Sequence, residues 1–155
     1  MAEPEITKQP LLSQVRDYMT SDPQTLDMKS TLLNAVLLLR RSELRHIPIL
    51  DNDRLVGVLS DRDVARWAPS LLTSLTPQEY NRVFEETPVG KVMTRNPISV
   101  SPDAPLAEAV NLMYKHRLGC LPVLEAGRLS GIITVTDMLR ALYDLIGSPQ
   151  EAESV

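Results

Sequence analysis

Apolar and polar positions along the chain fall into two series that run in step. Thr31–Leu44 and Pro105–Leu118 carry apolar residues at three- and four-residue intervals, which predicts two amphipathic helices. Ser30 and Asp103 stand near their starts, and Pro105 suits a first helical position. Two short apolar runs around a polar turn follow each helix. His46–Leu50 and Leu55–Ser60 flank Asp51-Asn52-Asp53, while Cys120–Leu124 and Leu129–Thr134 flank Glu125-Ala126-Gly127, so each series predicts a β-hairpin. Closing helices are predicted from Asp61 to about Trp67 and from Val135 to about Ile146. Upstream, Leu11–Met19 has helical spacing, and its counterpart is Val89–Met93, which follows Pro88. The turn signals Asp22-Pro23 and Asn96-Pro97 lead into short extended pieces, Gln24–Leu26 and Ile98–Val100. Pro48 and Pro122 lack a ladder donor, so their strands are expected at a sheet edge or beside a ligand groove.

The two series are copies. Residues 15–67 superpose on 89–141 at an offset of 74 without a gap, and 16 of the 53 positions are identical, among them Met19/Met93, Pro48/Pro122, Gly57/Gly131, Asp63/Asp137 and Arg66/Arg140. Such self-similarity decides the architecture before any single element does. The expected fold class is α/β (α+β): two tandem β-α-β-β-α units, packed through their sheets about a pseudo-twofold axis, with clefts between them. The organisation expected is a tail over 1–10, a first repeat over 11–67, a helical insertion over 68–87, a second repeat over 88–146 and a polar tail over 147–155. Thr76-Pro77-Gln78-Glu79 opens the insertion like a capped helix and leads into Tyr80–Glu85. Met19, Met93, Trp67 and Tyr80 are expected to pack rather than bind.

Composition narrows the function. The 155 residues are 43% apolar and 23% charged, with a net charge of −4, which argues against a nucleic-acid binder needing a basic face. The single Cys120 excludes an internal disulfide and a cysteine-based metal site. His46 and His116 sit at non-equivalent repeat positions and lack acidic partners at ligand spacing. With no nucleophile–base pair and no Walker A loop, no enzyme is expected. Met1–Pro10 is polar and does not read as a leader, and the longest apolar run, Ala35–Leu39, is too short to cross a bilayer, so a cytoplasmic protein is expected. That run is wide for a one-sided helix and fits one buried on two sides, as at a dimer contact.

Chemistry concentrates where the second hairpin strand meets the closing helix, at Ser60-Asp61-Arg62-Asp63 and Thr134-Val135-Thr136-Asp137. A helix N-terminus offers unpaired N–H groups to phosphate. A hydroxyl at the first position and a basic or hydroxyl group at the third add donors, and a carboxylate at the fourth can accept from two vicinal ribose hydroxyls. Gly57 and Gly131 leave room for close backbone approach. The same residues also spell a capping box, in which the side chains satisfy the helix's own N–H groups.

Together with Met19-Thr20, Ile47-Pro48-Ile49-Leu50-Asp51 and Leu55-Val56-Gly57-Val58-Leu59-Ser60, and their second copies from Met93-Thr94 onward, this pattern resembles the CBS domain, the regulatory module named after cystathionine β-synthase. The resemblance implies a stand-alone pair of repeats whose clefts take AMP, ADP, ATP or S-adenosylmethionine, with magnesium only where ATP carries it. It implies a homodimer and an unidentified protein target. Carried over by position, Asp63 and Asp137 hold ribose; Ser60 with Arg62, and Thr134 with Thr136, face phosphate. Thr25 and Ser99 lie near adenine; Ile47, Pro48, Leu121 and Pro122 line the base pocket. His46 falls at a basic phosphate contact, where the second repeat has Cys120, so unequal affinities are expected. The competing reading is a ligand-free dimeric scaffold.

Overall fold

The computed structural model describes residues 10–68 and 75–147. In chain order the elements are β1 (Thr20–Ser21), β2 (Leu26–Asp27), α1 (Leu32–Ser42), β3 (His46–Asp51), β4 (Arg54–Ser60), α2 (Asp61–Trp67), α3 (Pro77–Glu86), β5 (Thr94–Arg95), α4 (Leu106–His116), β6 (Cys120–Glu125), β7 (Arg128–Thr134) and α5 (Val135–Ile146). The fold is mixed α/β. Both hairpins are present, as are the helices predicted within 31–44, 61–67, 80–85, 105–118 and 135–146. The helical spacing of Leu11–Met19 is realised as two 3-10 turns, Pro10–Leu12 and Val15–Asp17, separated by an extended Gln14 that bridges to Pro105. That bridge draws the backbone out of helical geometry. Val89–Lys91 is likewise a 3-10 turn, and Pro88 is its extended N-cap. The tails predicted at 1–10 and 147–155 lie almost wholly outside the described residues, as does part of 68–87.

The chain forms two compact units, and these do not follow the repeats end to end. One gathers residues 10–21, 99–126 and 130–147; the other gathers the described residues of 22–98 and 127–129. We call them the second-repeat unit and the first-repeat unit after the hairpins they contain. In the first-repeat unit the sheet order is β2-β3-β4-β5; in the second-repeat unit it is β1-β7-β6. β1 precedes the first hairpin in the chain yet pairs with β7, Thr20 opposite Ile132 and Ser21 opposite Gly131. β5 precedes the second hairpin yet pairs with β4, Val58 opposite Thr94 and Gly57 opposite Arg95. Each repeat therefore lends its opening strand to the other repeat's sheet.

Gly57 and Gly131 make that exchange possible. A Cβ on Gly57 would lie 2.5 Å from Met93 Sδ and 2.8 Å from the Thr94 carbonyl oxygen; on Gly131 it would lie 2.8 Å from both Met19 Sδ and the Thr20 carbonyl oxygen. The space the sequence reserves at these glycines is taken by the exchanged strand and its methionine.

The core of the first-repeat unit is built on Leu32, Ala35, Ile47, Ile49, Leu59, Val64, Val89 and Met93. Thr31 caps α1, its hydroxyl accepting from Asn34 N–H while the Asn34 side chain accepts in return, a reciprocal cap worth about 1 kcal/mol. The expected capping by Ser30 is displaced by one residue. On α1, Leu32 and Ala35 are buried but Leu33 and Leu37 are exposed. β3 lies between β2 and β4, so Pro48 is not on an edge strand. β2 pairs only with Ile49 and Leu50, so the ladder starts just past the proline and asks no donor of it. In the second-repeat unit Val100 N–H donates to the Pro122 carbonyl at 3.1 Å, and the first strand shrinks to a single bridge between Val100 and Val123.

Backbone conformation repeats even where residue type does not. Asp22/Asn96, Glu43/Arg117 and Asn52/Ala126 all have positive φ, and Asp53 (φ 62°) is matched by Gly127 (φ 78°). Asn52 and Asp53 form a two-residue turn with both central residues left-handed, the twist that suits a hairpin.

Candidate functional site

The candidate residues of each repeat fall within one unit. Thr25, His46, Ile47, Pro48, Ser60, Arg62 and Asp63 belong to the first-repeat unit; Ser99, Cys120, Leu121, Pro122, Thr134, Thr136 and Asp137 belong to the second-repeat unit. In both, the strand ends on the hydroxyl residue and the helix begins at the next position.

The capping box is closed in both copies. Asp63 N–H donates to Ser60 Oγ at 3.0 Å, and Ser60 N–H donates to Asp63 Oδ2 at 2.9 Å. Thr134 N–H donates to Asp137 Oδ2 at 2.8 Å, the Thr134 hydroxyl donates to the same oxygen at 3.1 Å, and Asp137 N–H reaches Thr134 Oγ1 at 3.4 Å. The first N–H of each helix is also taken: Asp61 N–H donates to the Arg45 carbonyl and Val135 N–H to the Gly119 carbonyl. An incoming phosphate would therefore have to be held by side chains more than by helix N–H groups. Capping leaves each carboxylate spare acceptor capacity, since an ionised carboxylate offers about four lone-pair sites and the cap occupies one oxygen. Asp63 and Asp137 are half-buried, whereas Arg62 and Thr136 are exposed and point their chemistry at solvent.

His46 is half-buried at the start of β3, opposite Ser60 across the hairpin. Burial holds its imidazole below the ordinary value; the Asp61 and Asp63 carboxylates pull it upward, and Arg62 and Arg45 push it down. It is therefore neutral at pH 7. Cys120 takes the corresponding place on β6 and is buried. Thr25 is half-buried just before β2, and Ser99 half-buried just before the Val100 bridge.

Pro48 and Pro122 are buried, each flanked by residues that point to the opposite sheet face. Ile47 is one of those. It packs with Leu32, Ala35 and Leu59 in the core, so its side chain is not on the face that carries His46 and Pro48. Leu121 alternates with Cys120 and Pro122 in the same way and is fully buried. At these two positions the side chain is buried in the core and does not share a face with the neighbouring candidate residues.

The sequence did not single out the partners of Asp137. Arg140 Nη2 lies 3.7 Å from Asp137 Oδ1 and donates to the Tyr18 carbonyl at 2.7 Å, with its guanidinium 5.3 Å from the centroid of the Tyr18 ring. Tyr18 is 1% exposed, and its hydroxyl donates to Asp144 Oδ2 at 2.7 Å. Burial first, and then the Asp144 hydrogen bond and charge, push the phenol up to about 12. The Arg66/Arg140 identity was the available signal for Arg140. Nothing local marked Tyr18, whose counterpart is Val92.

Among the described residues no group of three or more His, Cys, Asp or Glu side chains could hold a metal, and no helix is long and apolar enough to cross a membrane. A surface depression lined by Trp67, Arg82, Val83 and Lys91 involves α2 and α3 and none of the candidate residues.

Two β-α-β-β-α repeats that trade the short strands preceding them, β1 and β5, each with a hydroxyl-x-x-Asp step from sheet to helix, define a tandem α/β repeat module. The family profile of the CBS domain matches residues 15–70 and 89–144, and the chain belongs to that family. Solved structures that share the fold include the following three. A Vibrio cholerae protein named for acetoin utilization (AcuB) is 37% identical, with a TM-score of 0.72 over 88% of this chain and 94% of that one. CBSX2, solved in complex with AMP, is 28% identical, with a TM-score of 0.71 over 86% and 98%. The CBS domain pair of protein MJ0100, solved in complex with 5′-methylthioadenosine and S-adenosyl-L-methionine, is 25% identical, with a TM-score of 0.69 over 84% and 96%.

Proposed function

We propose that this chain is a regulatory module that binds an adenosyl compound (AMP, ADP, ATP or S-adenosylmethionine) in the clefts of its CBS pair and thereby changes how it meets a protein target. The observation that carries this reading is the duplicated step Ser60-Asp61-Arg62-Asp63 and Thr134-Val135-Thr136-Asp137, half-exposed in each unit with spare carboxylate capacity, in a chain related to structures solved with AMP and with S-adenosylmethionine. In this reading Asp63 and Asp137 accept from ribose. Ser60, Arg62 and His46 serve phosphate at one site; Thr134 and Thr136 serve it at the other. Thr25, Ser99, Pro48 and Pro122, with the backbone of Ile47 and Leu121, meet the base. Arg62 makes the first site the better anion binder. The module needs no metal beyond magnesium carried by ATP, performs no chemistry, and works in the cytoplasm.

A thermal-shift panel of AMP, ADP, ATP, S-adenosylmethionine and 5′-methylthioadenosine tests this directly. A ligand at a hundred times its dissociation constant adds about 2.7 kcal/mol of stability and raises the melting temperature. Asp63→Asn keeps a cap acceptor but loses the charge, and is expected to weaken binding at its own site about tenfold. No shift with any ligand would sink the sensor reading. It would favour the ligand-free scaffold, which the closed capping boxes support.

A homodimer belongs to the same proposal. α5 exposes Leu139 and Ile146 at 60% and 71%, with Leu142 and Tyr143 between them, and α1 exposes Leu33 and Leu37. Apolar stripes of this kind on a helix call for a cover. Sedimentation equilibrium is expected to show a dimer that Leu139→Asp weakens.

A further inference from the structure

The two candidate carboxylates sit in different electrostatic surroundings, and the difference has a direction. In the second-repeat unit, Asp137 Oδ2 is occupied by Thr134, and Oδ1 faces Arg140 at 3.7 Å. Arg140 in turn donates to the Tyr18 carbonyl at 2.7 Å and lies over the Tyr18 ring. Tyr18 is held from its other end by Asp144 at 2.7 Å. Two residues further along, at Thr20, the chain enters β1, the strand exchanged onto β7. Arg140 is thus a direct link between the candidate ribose acceptor and the exchanged strand. The first-repeat unit lacks this device: Val92 replaces Tyr18, and the exposed Arg66 makes no hydrogen bond or ion pair among the described residues.

We propose that Arg140 is a positioning residue that couples adenosyl-ligand occupancy at Asp137 to the anchoring of β1, and that the coupling is confined to the second-repeat unit. The inference rests on the ligand reading given above. The physical basis is shared use of one guanidinium. Held by the Tyr18 carbonyl and ring, Arg140 fixes the Asp137 carboxylate in the orientation that its cap allows. A ribose bound to that carboxylate in turn favours the arrangement in which Arg140 stays between Asp137 and Tyr18. Coupling of this kind is reciprocal: the factor by which anchoring tightens binding equals the factor by which binding tightens anchoring. Couplings between sites run from roughly 5- to 150-fold, and exposure of a long cation to solvent places this one toward the low end, at about tenfold.

The test uses the full chain carrying Asp63→Ala, which leaves the Asp137 site to report alone. Binding of AMP and of 5′-methylthioadenosine is measured by calorimetry, and hydrogen exchange is followed at residues 19–21. Saturating AMP is expected to slow exchange there about tenfold. Adding Arg140→Ala is expected to speed exchange in the ligand-free protein, abolish the AMP-linked slowing, and weaken both ligands by about the same tenfold. Arg66→Ala is expected to change none of these. Arg140→Lys, a milder change should Arg140→Ala fail to fold, is expected to recover affinity and protection together. An Arg140→Ala protein that binds AMP with unchanged affinity, or that still slows exchange on binding, overturns the proposal; so does a lysine variant that recovers one property without the other. If neither the wild-type chain nor the Asp63→Ala parent binds either ligand, the sensor reading falls and the coupling with it; if the wild type binds and the Asp63→Ala parent does not, the Asp137 site takes no ligand and the coupling alone is overturned. The coupling alone also fails where the parent binds and the variants do not differ.

Discussion

At the scale of single residues, Tyr18 carries the most testable electrostatics. Its phenol is raised from 10.0 to about 12 in the folded chain, so the folded state holds that proton more tightly than the unfolded state. The stability this contributes is fully present below pH 10 and is lost as pH rises through 12; two pH units correspond to about 2 kcal/mol after allowance for relaxation. Tyr18→Phe is therefore expected to flatten the decline in urea midpoint between pH 10 and 12. An unchanged decline would mean that other groups cause it. His46 works in the opposite sense. Its depressed value means that stability is complete above about 6.5 and is lost as pH falls through the folded value. A thiol takes up no proton between pH 7 and 4, so His46→Cys, which makes the first hairpin resemble the second, is expected to remove part of the acid sensitivity in melts over that range.

Individual residues were also where the sequence was most and least readable. The Ser-x-x-Asp and Thr-x-x-Asp steps were legible because four adjacent residues specify a cap. The sequence does not separate that cap from the proposed ribose contact, since capping and ribose binding ask for the same side chains. The sheet face that Ile47 takes was not legible for a physical reason: β3 is buried at Ile47, Pro48 and Ile49 alike, so no polar–apolar alternation told which way each residue points.

Among elements, the hairpins and helices were legible because their signals are local and periodic. β1 and β5 were not. Each is two residues long, too short to show alternation, and each finds its partner far away in the chain, so nothing in Thr20-Ser21 or Thr94-Arg95 announces a strand. The trace they leave is on the other side of the contact, as a glycine. Gly57→Ala would place a methyl 2.8 Å from the Thr94 carbonyl oxygen as well as against Met93. The thioether can move; a backbone oxygen paired in a sheet cannot move freely. A loss of about 1–3 kcal/mol is expected, read as a lower urea midpoint, as for other overpacked sites. Shortening the methionine, as in Gly57→Ala with Met93→Ala, is expected to leave the deficit uncorrected. A Gly57→Ala protein as stable as the parent would show that the strand sits further from the glycine than described.

For the whole molecule, the repeat told the architecture at once, because an uninterrupted offset of 74 demands two copies of one unit. The exchange of opening strands stayed hidden, since two copies could as well have folded end to end. It has a consequence for dissection of the chain. A fragment of residues 10–75 contains the groove over Gly57 but has lost β5, and it contains β1 but has lost β7. Its melting temperature is expected to rise with its own concentration, and to rise further when residues 76–147 are added. A fragment that melts as a monomer at one fixed temperature would show that the borrowed strand contributes little.

A molecule with a single repeat would own a strand it cannot use and a slot it cannot fill. Two such molecules would supply each other, at the mercy of dilution. Joining two repeats in one chain makes the partner always present, so sheet completion no longer depends on how much protein surrounds it. The same covalent tie frees the two copies to diverge. One half can keep a tyrosine, an arginine and a buried thiol where the other keeps a valine, an exposed arginine and a histidine, so one design yields two copies with unlike surroundings.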